Sequence, residues 1–204
     1  MPYSEAAQIR KRIAHAPAGT VFTPADFSDL AGASSVNASL SRLTRSGVLS
    51  RVRRGVYSKP KVSKVLGQPV PAKPDEVAQA IAKQNGWAIA PAGASALNFL
   101  GLDTQVPAAI EYASSGPYKS YECDGYRISF KHRASRDLIG CSPLTRLVIQ
   151  ALRALGKEGA TPEVAARLAT RMSEPEVAAF CKETAGSTSW IVAFGNQLRE
   201  AKGC

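Results

Sequence analysis

The chain has 204 residues, of which 45% are hydrophobic, and its formal net charge is +10 at pH 7. This length allows one large or two small domains, and no apolar run reaches membrane-spanning length. The first residues lack the pattern of a secretion signal, so we expect a soluble, cytoplasmic protein. Because two histidines and four scattered cysteines fit no ligand spacing, we expect reduced thiols and neither a metal site nor a cofactor.

Most of the positive charge lies in the first third of the chain. Residues 1–73 contain twelve Lys and Arg residues but only three acids, a net charge of +9, whereas the other 131 residues have a net charge of +1. Such a concentration predicts a polyanionic partner for this region. Nucleic acid is favoured over a membrane surface, because no basic amphipathic stretch with bulky apolar residues is present.

The N-terminal region is predicted to contain three helices. Apolar residues at helical spacing predict the first over residues 4–16. The second is short and begins after Thr23, because Thr23 and Asp26 fit a capping box and Phe22 and Phe27 fit a hydrophobic staple. Gly32 is expected to end it.

The third helix is expected to begin with Ser34 or Ser35 as its cap and to end at Gly47. Its apolar stripe faces the core. The opposite face has small polar residues and arginines, a composition that suits the major groove of DNA. The DNA-binding candidates on this helix are Ser34, Asn37, Ser41, Arg42 and Arg45.

A β-hairpin is predicted next, with strands over 48–53 and 56–58 joined by a turn at Arg54-Gly55. Arg51, Arg53 and Arg54 lie at or near its tip, where arginines suit phosphates and narrow minor grooves. Together the three helices and the hairpin predict a winged helix-turn-helix DNA-binding domain over residues 1–58.

Residues 59–74, rich in Pro and Lys, are predicted to be a linker with one short strand near 62–66. Residues 75–204 are predicted to form an α+β domain that ends in a helical bundle. Its predicted helices and strands are a helix over 75–84, an extended segment over 87–90, a helix over 91–102, strands near 109–112, 121–123 and 126–131, and helices beginning near 142, 161, 173 and 190. The helix that begins near 142 is expected to end at Gly156, and Ser173 and Glu176 fit a capping box for the helix that begins near 173.

The predicted strand over 126–131 alternates apolar residues with Arg127, Ser129 and Lys131. Its basic face is either solvated, the favoured interpretation, or a second nucleic-acid contact. His132 lies near Asp137 in sequence, but no catalytic constellation accompanies the two residues. We therefore do not expect an enzyme.

Several segments resemble AbiEi-type antitoxins, over roughly residues 1–156. The first is the helix-to-hairpin segment at 41–57, which contains Ser-Arg-Leu, Gly47, Leu49 and the run Arg-Val-Arg-Arg-Gly-Val-Tyr. A second is Gly-Ala-Ser-Ala-Leu at 93–97, followed by Leu-Gly-Leu at 100–102 and Gln-Val-Pro at 105–107. The strand over 128–131 and the helix over 147–156 also fit.

The resemblance implies the antitoxin of a type IV toxin–antitoxin system. Its winged-helix domain would bind inverted repeats in its own promoter, with protomers pairing on the repeats, and its second domain would oppose a nucleotidyltransferase-like toxin. Residue roles carry over only to Arg42, Arg45, Arg51, Arg53 and Arg54. Three alternatives stay open: a stand-alone winged-helix regulator, a nucleic-acid-processing enzyme with a winged-helix targeting domain, and a helix-turn-helix module that binds protein.

Overall fold

The computed structural model describes residues 4–65, 67–105, 110–123 and 125–203. They form a mixed α+β structure, as the sequence predicted. The chain divides into two compact units. The first comprises Met1–Gly86 and Glu122–Arg127, and the second comprises Trp87–Tyr121 and Ile128–Cys204.

The first unit consists mainly of three helices and a three-stranded antiparallel sheet, in the strand order β1-β3-β2. Its elements are α1 (Glu5–His15), β1 (Val21–Phe22), a 3₁₀ helix (Pro24–Phe27), α2 (Ala33–Arg45), β2 (Ser50–Arg53), β3 (Val56–Ser58), β4 (Lys61–Val62), β5 (Pro69–Val70) and α3 (Pro74–Asn85). Side chains from α1, α2, the 3₁₀ helix and the sheet share one core. That core contains Ile9, Ile13, Phe22, Phe27, Val36, Leu40, Leu43, Leu49 and Tyr57.

The predicted second helix is a single 3₁₀ turn of four residues, so its predicted length was wrong. Its capping box is confirmed, because the Asp26 carboxylate accepts hydrogen bonds from the backbone N–H and the hydroxyl of Thr23 at 2.8 and 2.9 Å. The Phe22 and Phe27 rings also pack together, with centroids 5.6 Å apart. The local cap signals were therefore correct, but turns and a bend at 28–32 follow Phe27 instead of further helix.

Helix α2 begins one residue before the predicted caps. Its N-cap is Gly32, whose conformation is extended and which offers no side chain. Ser34 and Ser35 lie inside the first turn, and the Ser35 hydroxyl donates to the Glu5 carboxylate at 2.9 Å. This contact with α1 occupies the side chain that was expected to cap the helix.

Residues 59–74 contain two short paired strands, β4 and β5, where one strand was predicted. Helix α3 was predicted to open the second domain, but the structure places it in the first unit. Lys83 on α3 forms a salt bridge of 2.6 Å with Asp26. The side chains of Val77 and Ile81 on the same helix are fully buried.

The second unit combines a mixed sheet with a helical bundle. Its elements are β6 (Ile89–Pro91), α4 (Ala94–Phe99), β7 (Ile110–Ser114), β8 (Lys119–Cys123), β9 (Tyr126–His132), a 3₁₀ turn (Ser135–Asp137), α5 (Pro143–Gly159), α6 (Pro162–Ala169), α7 (Glu174–Glu183) and α8 (Ser189–Lys202). The four-stranded sheet has the strand order β6-β7-β9-β8, and β7 and β9 are parallel. The end of β8 and the start of β9 belong to the first unit.

The bundle confirms the predicted C-terminal helices. Gly156 adopts φ +72° and interrupts α5 where its helical stripe was expected to end. The capping box of α7 is formed, since the Glu176 carboxylate accepts from the Ser173 backbone N–H and hydroxyl at 2.7 and 2.8 Å. Helix α4 is shorter than the predicted span of 91–102, because Pro91 belongs to β6 and Gly93 adopts a positive φ.

Parts of some predictions lie outside the described residues: Leu66 in the linker, residues 106–109, Asp124 in the hairpin turn and Cys204. The cysteines within the described part of the chain, Cys123, Cys141 and Cys181, are not joined in disulfides. Within the same residues, none of the helices combines the length and the apolar character that crossing a lipid bilayer requires.

Candidate nucleic-acid interface

The outward face of α2 carries the sequence-predicted residues of this helix. Ser34, Ser41 and Arg45 recur at intervals of seven and four residues and therefore share one side of the helix. The opposite side is buried by Val36, Leu40 and Leu43. Asn37 and Arg42 flank the outward stripe, and both are exposed. The structure thus brings the five predicted residues together on one convex surface.

This surface keeps its positive charge. Among the described residues, neither Arg42 nor Arg45 forms a salt bridge with a carboxylate. The Arg42 guanidinium instead donates to the Ser39 hydroxyl at 3.3 Å, and this bond fixes the side chain without neutralising it. Both arginines lie in the last turn of α2, where they also complement the helix dipole.

The hairpin of β2 and β3 supplies three more arginines. Arg51 is exposed, and its guanidinium lies 5.7 Å from the centre of the Tyr57 ring. Arg54 is exposed in the turn beside Gly55, which adopts φ +79°. The pairing register shifts between Arg51 and Arg53, so the strand is irregular next to the turn.

Arg53 has a different environment from its neighbours. It is half-buried, and its charge reaches the thiol of Cys123 in the same unit. Burial raises the pKa of Cys123, and the positive charge of Arg53 partly opposes that rise. Of the three predicted hairpin residues, Arg51 and Arg54 are therefore the ones fully presented to solvent.

The acids of the first 73 residues are engaged elsewhere. Asp29 forms a two-point salt bridge with Arg12, with both N–O distances at 2.7 Å. Asp26 pairs with Lys83, and Glu5 accepts from Ser35. None of these contacts involves Arg42, Arg45, Arg51 or Arg54, so the three acids do not neutralise those four arginines.

The basic strand face of β9 is neutralised, in contrast to α2. Arg127 pairs with Glu122 on the adjacent strand, and the Lys131 ammonium lies 2.7 Å from the Glu111 carboxylate on β7. The alternation itself is confirmed, since Ile128 and Phe130 are buried between these polar positions. Paired charges favour the interpretation of this surface as a solvated sheet face.

His132 and Asp137 are not partners. The His132 Nδ1 lies 2.9 Å from the Gly116 carbonyl oxygen, whereas the buried Asp137 carboxylate pairs with Arg153 at 2.6 Å. Within the described ranges, no three His, Cys, Asp or Glu side chains are grouped so as to hold a metal ion. The structure therefore offers no support for chemistry at His132.

Two features of the first unit escaped the sequence analysis. Ser39 is only 3% exposed, although its hydroxyl makes it a poor candidate for the core in sequence terms. Arg10 of α1 lines a cavity that also involves α2. Only the packing of α1 on α2 reveals these roles, because residues 10 and 39 are distant in sequence.

The fold and the site define a small α+β protein with a basic helix-and-hairpin surface. The chain belongs to the DUF6088 family, a family of unknown function, whose sequence pattern matches residues 8–173. That match covers the first unit from residue 8 and the second unit up to the residue before α7. No curated protein matches the sequence.

Proposed function

We propose that this protein binds duplex DNA through a winged helix-turn-helix domain and represses transcription from its own promoter. The proposal rests on the surface formed by α2 and the hairpin. It displays exposed arginines that no described carboxylate neutralises, within the region that holds nearly all the excess charge of the chain. A concentrated, unpaired positive surface is the electrostatic feature expected of a DNA-binding module.

Helix α2 is the proposed recognition helix. The side chains of its outward stripe are short at Ser34 and Ser41, so the backbone can approach the groove floor. At Arg45 the side chain is longer. Asn37 and Arg45 have side chains suited to paired hydrogen bonds with adenine and guanine edges, respectively. The buried stripe on the other side anchors the helix to the core and holds that face outward.

The hairpin is the proposed wing. Exposed Arg51 and Arg54 would contact backbone phosphates or a narrow minor groove, where the planar guanidinium is favoured. Half-buried Arg53, next to the turn, would add to the positive electrostatic potential of the wing. In this arrangement phosphate contacts fix the register of the protein, and α2 reads the bases.

The resemblance over residues 1–156 supports the further proposal that the repressor is also the antitoxin of a type IV system and opposes a nucleotidyltransferase-like toxin. A stand-alone regulator would have the same DNA-binding surface. The gene immediately downstream distinguishes the two, because an antitoxin requires a toxin gene beside its own. Co-expression of that gene product with this protein should then restore growth.

The test of the central proposal is binding to the duplex immediately upstream of the gene, compared with a scrambled duplex of equal length. We expect the protein to bind the natural duplex at least about a thousandfold more tightly than the scrambled duplex, which is the lower end of the range for specific over non-specific binding. The Asn37→Ala and Arg45→Ala variants should each weaken specific binding by about ten- to a hundredfold and leave scrambled-duplex binding almost unchanged.

Equal, weak binding to both duplexes would contradict sequence-specific repression. Absence of binding at low salt would instead favour the protein-interaction alternative. A nucleic-acid-processing activity that is lost in a His132→Ala variant would support the enzyme alternative.

A further inference from the structure

A cavity of about 270 Å³ opens between α1 and α2, on the flank of the proposed recognition helix. Arg10 comes from α1, and Arg42 and the residues around it come from α2. The remaining lining consists of Ala6, Ser39, Leu43 and Ser46. Two cationic side chains and two hydroxyls therefore surround one small space.

The electrostatics of this cavity favour an anion. No acidic residue lines it, and among the described residues neither Arg10 nor Arg42 forms a salt bridge. Arg12, two positions away on α1, is by contrast bound to Asp29 at two points. The chain thus neutralises one arginine of α1 and leaves the one beside the cavity unpaired.

One hydroxyl of the cavity supplies a directed donor. Ser39 is buried, and its oxygen accepts from Arg42 at 3.3 Å, so the hydroxyl hydrogen is available for a second bond. Ser46 caps the end of α2, but its hydroxyl already donates to the Leu43 carbonyl at 3.1 Å. Two guanidinium groups together with the Ser39 hydroxyl match a phosphate oxygen cluster, which accepts several hydrogen bonds at once.

We propose that Arg10 and Arg42, with Ser39, form a single binding site for one DNA backbone phosphate between α1 and α2. The inference rests on the proposed function. It gives α1 a direct role on DNA, and it assigns Arg42 to phosphate anchoring while Arg45 and Asn37 read bases. Because residues of both α1 and α2 bind the same phosphate, the contact fixes the orientation of the recognition helix in the groove.

Two arginines on one phosphate give a distinctive salt dependence. The slope of log K against log[salt] decreases by about 0.9 for each phosphate that the protein no longer neutralises. The Arg10→Gln/Arg42→Gln double variant should therefore lower the slope by about one unit, whereas two independent phosphate sites would lower it by about two. Lys11→Gln is the matched control for Arg10→Gln alone, because it removes one positive charge from the same helix but does not line the cavity.

The decisive experiment replaces single phosphates of the upstream duplex with neutral methylphosphonates and measures affinity of the full-length protein by fluorescence anisotropy. We expect one position at which the replacement weakens the wild type about tenfold, because it removes a charge-assisted interaction. The same replacement should weaken the Arg10→Gln and Arg42→Gln single variants less, and it should not weaken the double variant further. The losses of affinity caused by the Arg10 and Arg42 substitutions should both be non-additive with replacement of this one phosphate. The loss caused by Lys11→Gln should be additive with every replacement.

The shared site would be overturned if the two arginine substitutions were non-additive with replacement of different phosphates, or of none. An equal loss for Lys11→Gln would overturn it as well, since general charge would then explain the effect. If inorganic phosphate at matched ionic strength stabilises the wild type but not the double variant, and DNA affinity does not differ between them, the site serves a free anion and the assignment to DNA is wrong. Failure of the wild type to bind any duplex would contradict the proposed function itself.

Discussion

The charged side chains of the first unit fall into two groups at the scale of single residues. One group is paired and structural: Arg12 with Asp29, and Lys83 with Asp26. The other group is exposed and unpaired within the described chain, and includes Arg45 and Arg54. An exposed arginine without an ion pair does not stabilise the fold through its charge, and the proposed binding of DNA would account for its position.

Asp26 provides a pH-dependent test of the paired group. Burial raises the pKa of Asp26, but hydrogen bonds from Lys83 and from Thr23 outweigh burial, so the pKa lies below its ordinary value. A carboxylate with a lowered folded-state pKa stabilises the fold above its unfolded pKa of about 4, and that contribution is lost as pH falls through the lower folded value. Asp26→Asn should cost about 1 kcal/mol at pH 7, the magnitude typical of a lost cap.

The measurement is urea unfolding of the wild type and of Asp26→Asn at pH 7 and at pH 3. We expect the gap between the two proteins to shrink at pH 3, because pH 3 lies below the unfolded pKa of about 4 and protonation of the unfolded carboxylate removes part of the contribution. A gap that is equal at both pH values would show that the charge of Asp26 does not contribute.

Gly116 offers a test of packing at one residue in the second unit. A Cβ atom at this position would lie 2.3 Å from the Trp87 ring, a distance that the structure cannot accommodate without a shift. Gly116→Ala should therefore lower the free energy of unfolding by about 1–3 kcal/mol, as overpacking does. The control is Gly186→Ala, because a Cβ there meets nothing within 4 Å.

Thermal unfolding followed by tryptophan fluorescence measures both variants. The ring of Trp87 also packs against Phe130, with centroids 5.6 Å apart, so a displaced indole should change the folded-state emission in Gly116→Ala. Identical melting temperatures for the two variants would show that the loop at Gly116 relaxes without cost.

The C-terminal helices have a clear role at the scale of elements. Residues matched by the family end at 173, but α7 and α8 bury Phe180, Ile191, Phe194 and Leu198 in the same core as Val148 of α5 and Leu168 of α6. These helices therefore complete the second unit and are not an independent appendage.

Phe194→Ala should accordingly cost about 3–5 kcal/mol, because the ring is almost fully buried. Val192→Ala on the same helix is the control and should cost much less, since Val192 is only half-buried. Chemical unfolding of the full-length variants distinguishes the two. Similar small losses for both would show that α8 is only loosely attached.

Elements also show where sequence reasoning succeeded. Capping boxes at Thr23–Asp26 and Ser173–Glu176 were predicted correctly, because each depends on residues three apart. The hairpin at Arg54-Gly55 and the break at Gly156 were predictable from equally local signals. Glycine supplies the positive φ that each position requires.

Features that depend on distant residues were not predictable in this way. The N-cap of α2 is Gly32, and Ser35, one of the two predicted caps, instead contacts Glu5 on another helix. The basic face of β9 is neutralised because Glu111 comes from the parallel neighbour β7. Likewise, the cavity beside Arg10 and Arg42 exists only because α1 packs on α2. Local sequence patterns thus predicted which elements form the candidate interface, but not which side chains from distant parts of the chain contact one another.

At the scale of the whole molecule, charge is distributed unequally along the chain. The first 73 residues have a net charge of +9, and the remainder is nearly neutral at +1. Folding does not require this asymmetry, and self-repulsion within the first region opposes it. The asymmetry is explained if that region meets a polyanion, as the proposed repressor does.

The most direct test of this account is the salt dependence of binding to the upstream duplex. It compares the wild type, the Arg51→Gln/Arg54→Gln variant, and an Arg136→Gln/Lys157→Gln control that removes two exposed charges from the second unit. The account predicts a steep wild-type slope that the wing variant lowers by about one to two units and the control leaves unchanged. Equal slopes for the three proteins, or no binding at low salt, would contradict the assignment of this surface to DNA.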